Sequence, residues 1–82
     1  SQNYPNPFNP ATIIRFQIKS SSDVKLAVYN IQGKLISELV NQNMAAGRYE
    51  VDWNAANYPS GVYYYKLSAG DYSETKKMIL IK

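Results

Sequence analysis

The stretch GVYYYKLSAGDYSETKKMILIK, Gly61 to Lys82, decides the fold class. Val62, Tyr63, Tyr64, Tyr65, Lys66 and Leu67 are dominated by β-branched and aromatic strand formers, and Gly70 with Asp71 turns them into a second run. That run, Thr75, Lys76, Lys77, Met78, Ile79, Leu80, Ile81 and Lys82, is apolar without a break from Met78 to Ile81. Successive side chains of a strand point to opposite faces, so a half-buried strand alternates polar and apolar residues. An unbroken apolar run needs cover on both faces. Either this domain or a partner provides it, and the face of the closing strand that points inward is left open by the pattern.

The same period continues upstream. Thr12, Ile14, Phe16 and Ile18 against Ile13, Arg15 and Gln17 describe a first strand, and Ser20, Ser21, Ser22 and Asp23 read as its turn. Val24, Leu26 and Val28 alternate with Lys25, Ala27 and Tyr29, and Asn30 to Gly33 reads as a hairpin turn with Gly33 at positive φ. A third strand is expected from Lys34 to Val40. Its apolar residues Leu35, Ile36, Leu39 and Val40 do not alternate, which marks a bulge, with a short helix as the alternative. Asn41 to Ala46 reads as a polar loop. Gly47 then opens a strand with Tyr49, Val51 and Trp53 on one face and Arg48, Glu50 and Asp52 on the other, followed by a loop holding Asn54, Asn57, Pro59 and Ser60.

At the other end Pro5, Pro7 and Pro10 stand among Asn3, Asn6 and Asn9. Proline removes backbone donors and pushes its predecessor out of the helical region, so residues 1–11 are expected to be an extended lead segment anchored by Tyr4 and Phe8. The body then spans 12–82. Turn signals recur about every 8 to 12 residues between short β-rich runs, the pattern of a β-sandwich. The expected architecture is all-β: an immunoglobulin-like antiparallel β-sandwich of about seven strands, six of them regular. Its predicted core is Ile14, Phe16, Ile18, Val24, Leu26, Val28, Ile36, Tyr49, Val51, Trp53, Tyr63, Tyr65, Leu67, Met78 and Leu80.

Composition narrows the function classes. Eighty-two residues make one domain, which at this size buries roughly 60% of its unfolded surface. There is no cysteine to form a disulfide and no histidine, the commonest metal ligand and general base. No apolar stretch approaches the ~20 residues of a membrane helix. The chain starts at Ser1 with no signal peptide, as expected of a fragment from the end of a longer protein. Its net charge of +3 comes from lysines such as Lys19, Lys25, Lys34, Lys66 and Lys77 on separate strands. Spread in this way they suit a solvated, edge-protecting role; nucleic-acid binding calls for clustered cations with aromatic platforms.

Three constellations invite a chemical reading, and each has a plainer one. Tyr63, Tyr64 and Tyr65 suggest a sugar platform, but alternation turns Tyr63 and Tyr65 inward and leaves Tyr64 alone outside, a poor surface for stacking. Asp52, Asn54 and Asn57 resemble half a calcium loop, yet the positions that need Gly and Glu hold Asn57 and Tyr63, so turn capping is the better account. Glu50 and Asp52 share a face as paired catalytic acids do, but a solvated face beside Arg48 offers no cleft to set their environments apart. No catalytic set, cofactor or metal site is expected. Lys76 and Lys77 also serve as gatekeepers against aggregation of the apolar last strand.

Taken in order, Tyr4, Pro5, Asn6, Pro7, Phe8, Asn9 and Pro10 followed by Thr12, Ile14 and Phe16, then Val28, Tyr29, Asn30, Gly33 and Lys34, then Ala46, Gly47 and Trp53, then Ser60, Gly61, Val62, Tyr63, Tyr65, Lys66 and Leu67, and finally Thr75, Lys77, Met78 and Lys82, resemble one family over nearly the whole chain. It is the type A C-terminal sorting domain of the type IX secretion system. The middle segments are also similar to the Ig-like domain of the flagellar hook-capping protein. The proline-rich lead and the Lys77 to Lys82 finish favour the sorting domain, while Asn54, Ala55 and Ala56 depart from the Asp and Gly common in that loop.

The resemblance implies a domain at the end of a secreted or cell-surface protein. It would cross the periplasm with its upstream cargo and be recognised by outer-membrane secretion and sortase-like machinery, which commonly removes it or exchanges it for an anchor. A monomer with no nucleic-acid partner and no membrane span is expected. A folded sandwich is readable through an edge strand, where backbone hydrogen bonds give affinity and alternate side chains give specificity. The expected handle is Thr75 to Lys82, and its deletion should strand the cargo in the periplasm. The competing expectation is a structural or carbohydrate-binding accessory module.

Overall fold

The computed structural model describes residues 3–82; Ser1 and Gln2, the start of the expected lead segment, lie outside the described residues. Six strands follow one another: β1 (Ala11–Ile18), β2 (Ser22–Asn30), β3 (Leu35–Met44), β4 (Gly47–Asn54), β5 (Gly61–Ala69) and β6 (Tyr72–Leu80). They form two antiparallel sheets, one of β1 and β4 and one in the order β3-β2-β5-β6, packed as a sandwich.

The count is six strands, one fewer than the seven expected. Where a seventh would lie, the lead segment makes only isolated bridges, antiparallel from Tyr4 to Ile13 on β1 and parallel from Phe8 to Leu80 on β6. Pro5 and Pro7 have no N–H, so a continuous ladder cannot form there. The segment therefore passes from the edge of one sheet to the edge of the other.

The alternation predicted for β1 holds: Thr12, Ile14, Phe16 and Ile18 are buried. They face Trp53 of β4 and Val24, Leu26, Val28, Tyr63, Tyr65, Leu67, Met78 and Leu80 of the larger sheet in one core. Each such side chain stabilises the fold by ~1.5–3 kcal/mol on burial. Ile36, Tyr49 and Val51, expected inside, are only half-buried and pack against the core from its rim, because β3 and β4 are each an edge strand of their sheet. Phe8, Ala27 and Ala55 are core residues missing from the prediction.

Two boundaries move. The expected loop over Asn41 to Ala46 is strand as far as Met44, with Asn41, Gln42 and Asn43 paired to Lys25, Val24 and Asp23. The Asn43 carboxamide donates to the Asp23 carboxylate at 3.0 Å. The turn after β1 is shorter than predicted, since Ser22 and Asp23 already belong to β2. The broken alternation of β3 comes from a bulged strand and not a helix, because its register against β2 shifts twice, between Leu26 and Ala27 and between Val28 and Tyr29. The hairpin turn before it forms as expected. Gly33 has φ +82°, and the Asn30 carboxamide oxygen accepts from the N–H groups of Gln32 and Lys34.

Candidate functional site: the outer edge of the last strand

On β6, Met78 and Leu80 point into the core, fully buried. Ile79 points to the opposite face and is half-buried, and Ile81 beyond the strand is 52% exposed. The apolar run is thus covered on its inner face by this domain and only partly on its outer one.

The hydrogen-bonding edge is more informative than the faces. In an antiparallel pair, alternate residues send both N–H and C=O to the neighbour while the residues between send both away. Ile79 is of the second kind. Its N–H donates to Oδ1 of Asn6 at 2.9 Å and its C=O accepts from the N–H of Phe8 at 2.9 Å. The Asn6 amide Nδ2 donates to the C=O of Lys77 at 3.3 Å, and the N–H of Ile81 donates to the C=O of Phe8 at 2.9 Å. The register from β5 to β6 runs without a shift from Gly61↔Leu80 to Ala69↔Tyr72, so the same parity turns the backbone groups of Thr75 and Ser73 outward. Among the described residues no neighbouring strand pairs with those two. The last strand has one edge in two states, closed by the lead segment from Lys77 to Ile81 and open at Ser73 and Thr75.

The closure is built from few parts. Phe8 is 2% exposed and its ring lies 5.7 Å from that of Trp53, which also meets Tyr63 at 5.6 Å and Tyr58 at 5.8 Å. Tyr4, predicted as a second anchor, is instead 68% exposed; its backbone carries the contact, exchanging hydrogen bonds with Ile13. Beneath the segment the buried carboxamide of Asn3 donates to Thr12 Oγ1 at 2.9 Å and to the C=O of Pro5 at 3.0 Å. Asn6 is the part whose role the sequence did not disclose. Pro5 and Pro7 offer no N–H to the edge, so the carboxamide between them presents a donor and an acceptor in the manner of a peptide group.

The remaining candidates are placed as follows. Lys82 is tied down: its N–H donates to Ser60 Oγ at 3.1 Å and its Nζ to the C=O of Ala56 at 2.6 Å. Lys76 lies on the inner side of β6 and pairs with Glu74 at 3.9 Å, whereas Lys77 and Thr75 are exposed. Gly61 opens β5, Gly47 opens β4, and the Tyr63 hydroxyl donates to the C=O of Pro59 at 2.6 Å. Burial raises the Tyr63 hydroxyl above its usual range, with Tyr58 adding to it. In Tyr65 burial, reinforced by Glu74 and Tyr72, pushes the hydroxyl up to about 12.

The loop after Trp53 works as capping chemistry: the Asn54 carboxamide oxygen takes the N–H of Ala56, and the fully buried Ala55 donates its N–H to Pro10. Glu50 is engaged by Arg15 at 2.6 Å on an exposed surface. Among the described residues no three of Asp, Glu, His and Cys converge as metal ligands would, and no helix is long and apolar enough to cross a membrane. The tyrosine reading needs a correction. Tyr64 does not stand alone, because the β2–β5 register sets Tyr29 directly opposite it on the same outer face.

The sequence profile of the secretion system C-terminal sorting domain matches residues 2–82. No curated protein and no solved structure matches the chain.

Proposed function

Because the chain belongs to the family of secretion system C-terminal sorting domains, a match that spans residues 2–82, we propose that the outer edge of β6 is the handle by which its cargo is exported. Domains of this family are the sorting signal for type IX secretion of an attached protein toward the cell surface or extracellular space, and the family is not catalytic.

The finer reading concerns how the signal is read. Residues 1–11 join the cargo to the sandwich body over 12–82, the domain travels through the periplasm as a monomer, and the outer-membrane and sortase-like machinery reads Thr75 to Lys82. Within that stretch the roles divide. Thr75 and Lys77 present exposed side chains, Ile79 presents its half-buried one, Met78 and Leu80 hold the strand to the core, and Lys82 pins its end.

The observation that carries this reading is the outward row of backbone groups at Ser73 and Thr75 on an edge that no strand among the described residues occupies. Such an edge invites strand addition. The test is export of a passenger fused to residues 1–82 from cells that possess the type IX apparatus. The fusion is expected outside the cell, and retention inside would refute the proposal. Deleting 75–82 also removes Met78 and Leu80 from the core, so truncation is a poorer probe than a change confined to the edge.

A second reading is favoured by one observation, the Tyr29–Tyr64 pair on the outer sheet face. It is a carbohydrate-binding accessory role, tested by pull-down on insoluble polysaccharide. Retention that is lost in Tyr64→Ala supports it, and no retention of the parent chain removes it.

A further inference from the structure

We propose that Asn6 to Phe8 form a displaceable cap on the last strand, occupying backbone groups that an incoming extended segment of the export machinery would use. Pairing along the whole edge then begins with release of this cap. The inference rests on the sorting reading above and adds to it the control of the handle.

Three features point to displacement. First, the cap and the open stretch share one line of hydrogen-bonding groups: Ser73 and Thr75 are open, and Lys77, Ile79 and Ile81 are engaged by Asn6 and Phe8. A guest strand that pairs at Thr75 meets Asn6 at the next outward residue. Second, the cap is a poor strand. Pro5 and Pro7 bring no donors, the run beside Leu80 is parallel, and a carboxamide stands in for a peptide group, so a guest with a full set of N–H groups forms more ladder bonds than it displaces. Third, the hold is graded. Both Asn6 bonds are exposed to solvent and the one to Lys77 is long at 3.3 Å, whereas Phe8 sits in the core against Trp53. Release starts at Asn6 and is complete only when Phe8 follows, because a seated Phe8 still donates its N–H to the C=O of Ile79 and accepts from the N–H of Ile81. The partner this suits is an extended, proline-free segment read through its backbone.

The experiment compares three passenger fusions in cells with the type IX apparatus, with the thermal midpoint of each purified chain measured alongside. One carries the natural domain, one Asn6→Ala, and one the pair Asn9→Cys and Ile81→Cys. The Phe8–Leu80 bridge makes those two exposed positions neighbours, and the chain has no other cysteine, so oxidation locks the cap shut. Asn6→Ala is expected to lower the midpoint yet export at the natural rate or faster. The oxidised pair is expected to export about tenfold more slowly than its single-cysteine controls, the size of effect that follows when the binding-competent state falls to about a tenth of its population. Export of the locked form at the natural rate overturns the proposal, and so does a fall in Asn6→Ala export in step with its midpoint, the outcome for a merely structural segment. If the disulfide does not form, the Asn6→Ala arm decides alone. Failure of the sorting reading is distinct, because the natural fusion itself would then stay in the cell.

Discussion

The four-stranded sheet has two edges, β3 and β6, and they are protected in different ways. β3 shifts register twice against β2, exposes Glu38, Asn41, Gln42 and Asn43, and keeps its apolar residues at best half-buried. A bulged, polar, twisted edge repels strand addition by its own shape. β6 is regular throughout, carries the fully buried Met78 and Leu80, and relies on Asn6 and Phe8 for cover over Lys77 to Ile81. Protection built into a strand is permanent, whereas protection supplied by another segment can be withdrawn. This contrast is what the proposed handle on β6 rests on.

The largest effect that tests this asymmetry is on stability. Phe8→Ala empties a core site beside Trp53 and should cost ~3–5 kcal/mol, while Leu39→Ala, at a half-buried site on β3, should cost much less. Denaturant titration of both variants checks it, and equal losses would erase the contrast between the edges.

A smaller effect is expected at high pH. Tyrosine is neutral when protonated, so a native value near 12 for Tyr65 against about 10 in the unfolded chain means that the native state holds its proton longer. The associated stability is fully present below pH ~10 and is lost as pH rises toward 12. Tyr63 shifts in the same direction. Thermal midpoints across this window should fall less steeply in Tyr65→Phe, and parallel curves would show that the buried hydroxyl is not the cause.

The smallest expected effect lies on the β3 side. Lys25 and Glu38 form an exposed ion pair at 3.7 Å, and Glu38→Gln should change stability by less than ~1 kcal/mol. A larger loss in the same titration would show that β3 depends on a partner after all.

Legibility in the sequence followed the same division. β1, β4 and β5 were readable because one face is buried and the other solvated, which writes a period of two into Thr12 to Ile18, Gly47 to Trp53 and Val62 to Leu67. The end of β3 was not, since Asn41, Gln42 and Asn43 are polar on both faces and look like loop until their partners on β2 are known. Phe8 and Tyr4 look equivalent as aromatics among prolines, and only the three-dimensional path of the chain seats one against Trp53 and leaves the other in water. The apolar run of β6 signalled that its strand needs cover, and Met78 and Leu80 are indeed buried in the core. The capping role of Asn6 rests on a contact with residues 71 and 73 positions away along the chain, which no local pattern records.

The central claim, that the outer edge of β6 is the handle for export, is tested most directly by Thr75→Pro in the passenger fusion. The Thr75 N–H faces away from β5, so proline there breaks no bond of the sheet and should leave the folded domain intact by circular dichroism. With one edge donor gone and a ring in the path of a guest strand, export should fall about tenfold or more, the worth of one lost hydrogen bond together with the steric block. Undiminished export of a folded Thr75→Pro domain would contradict the account.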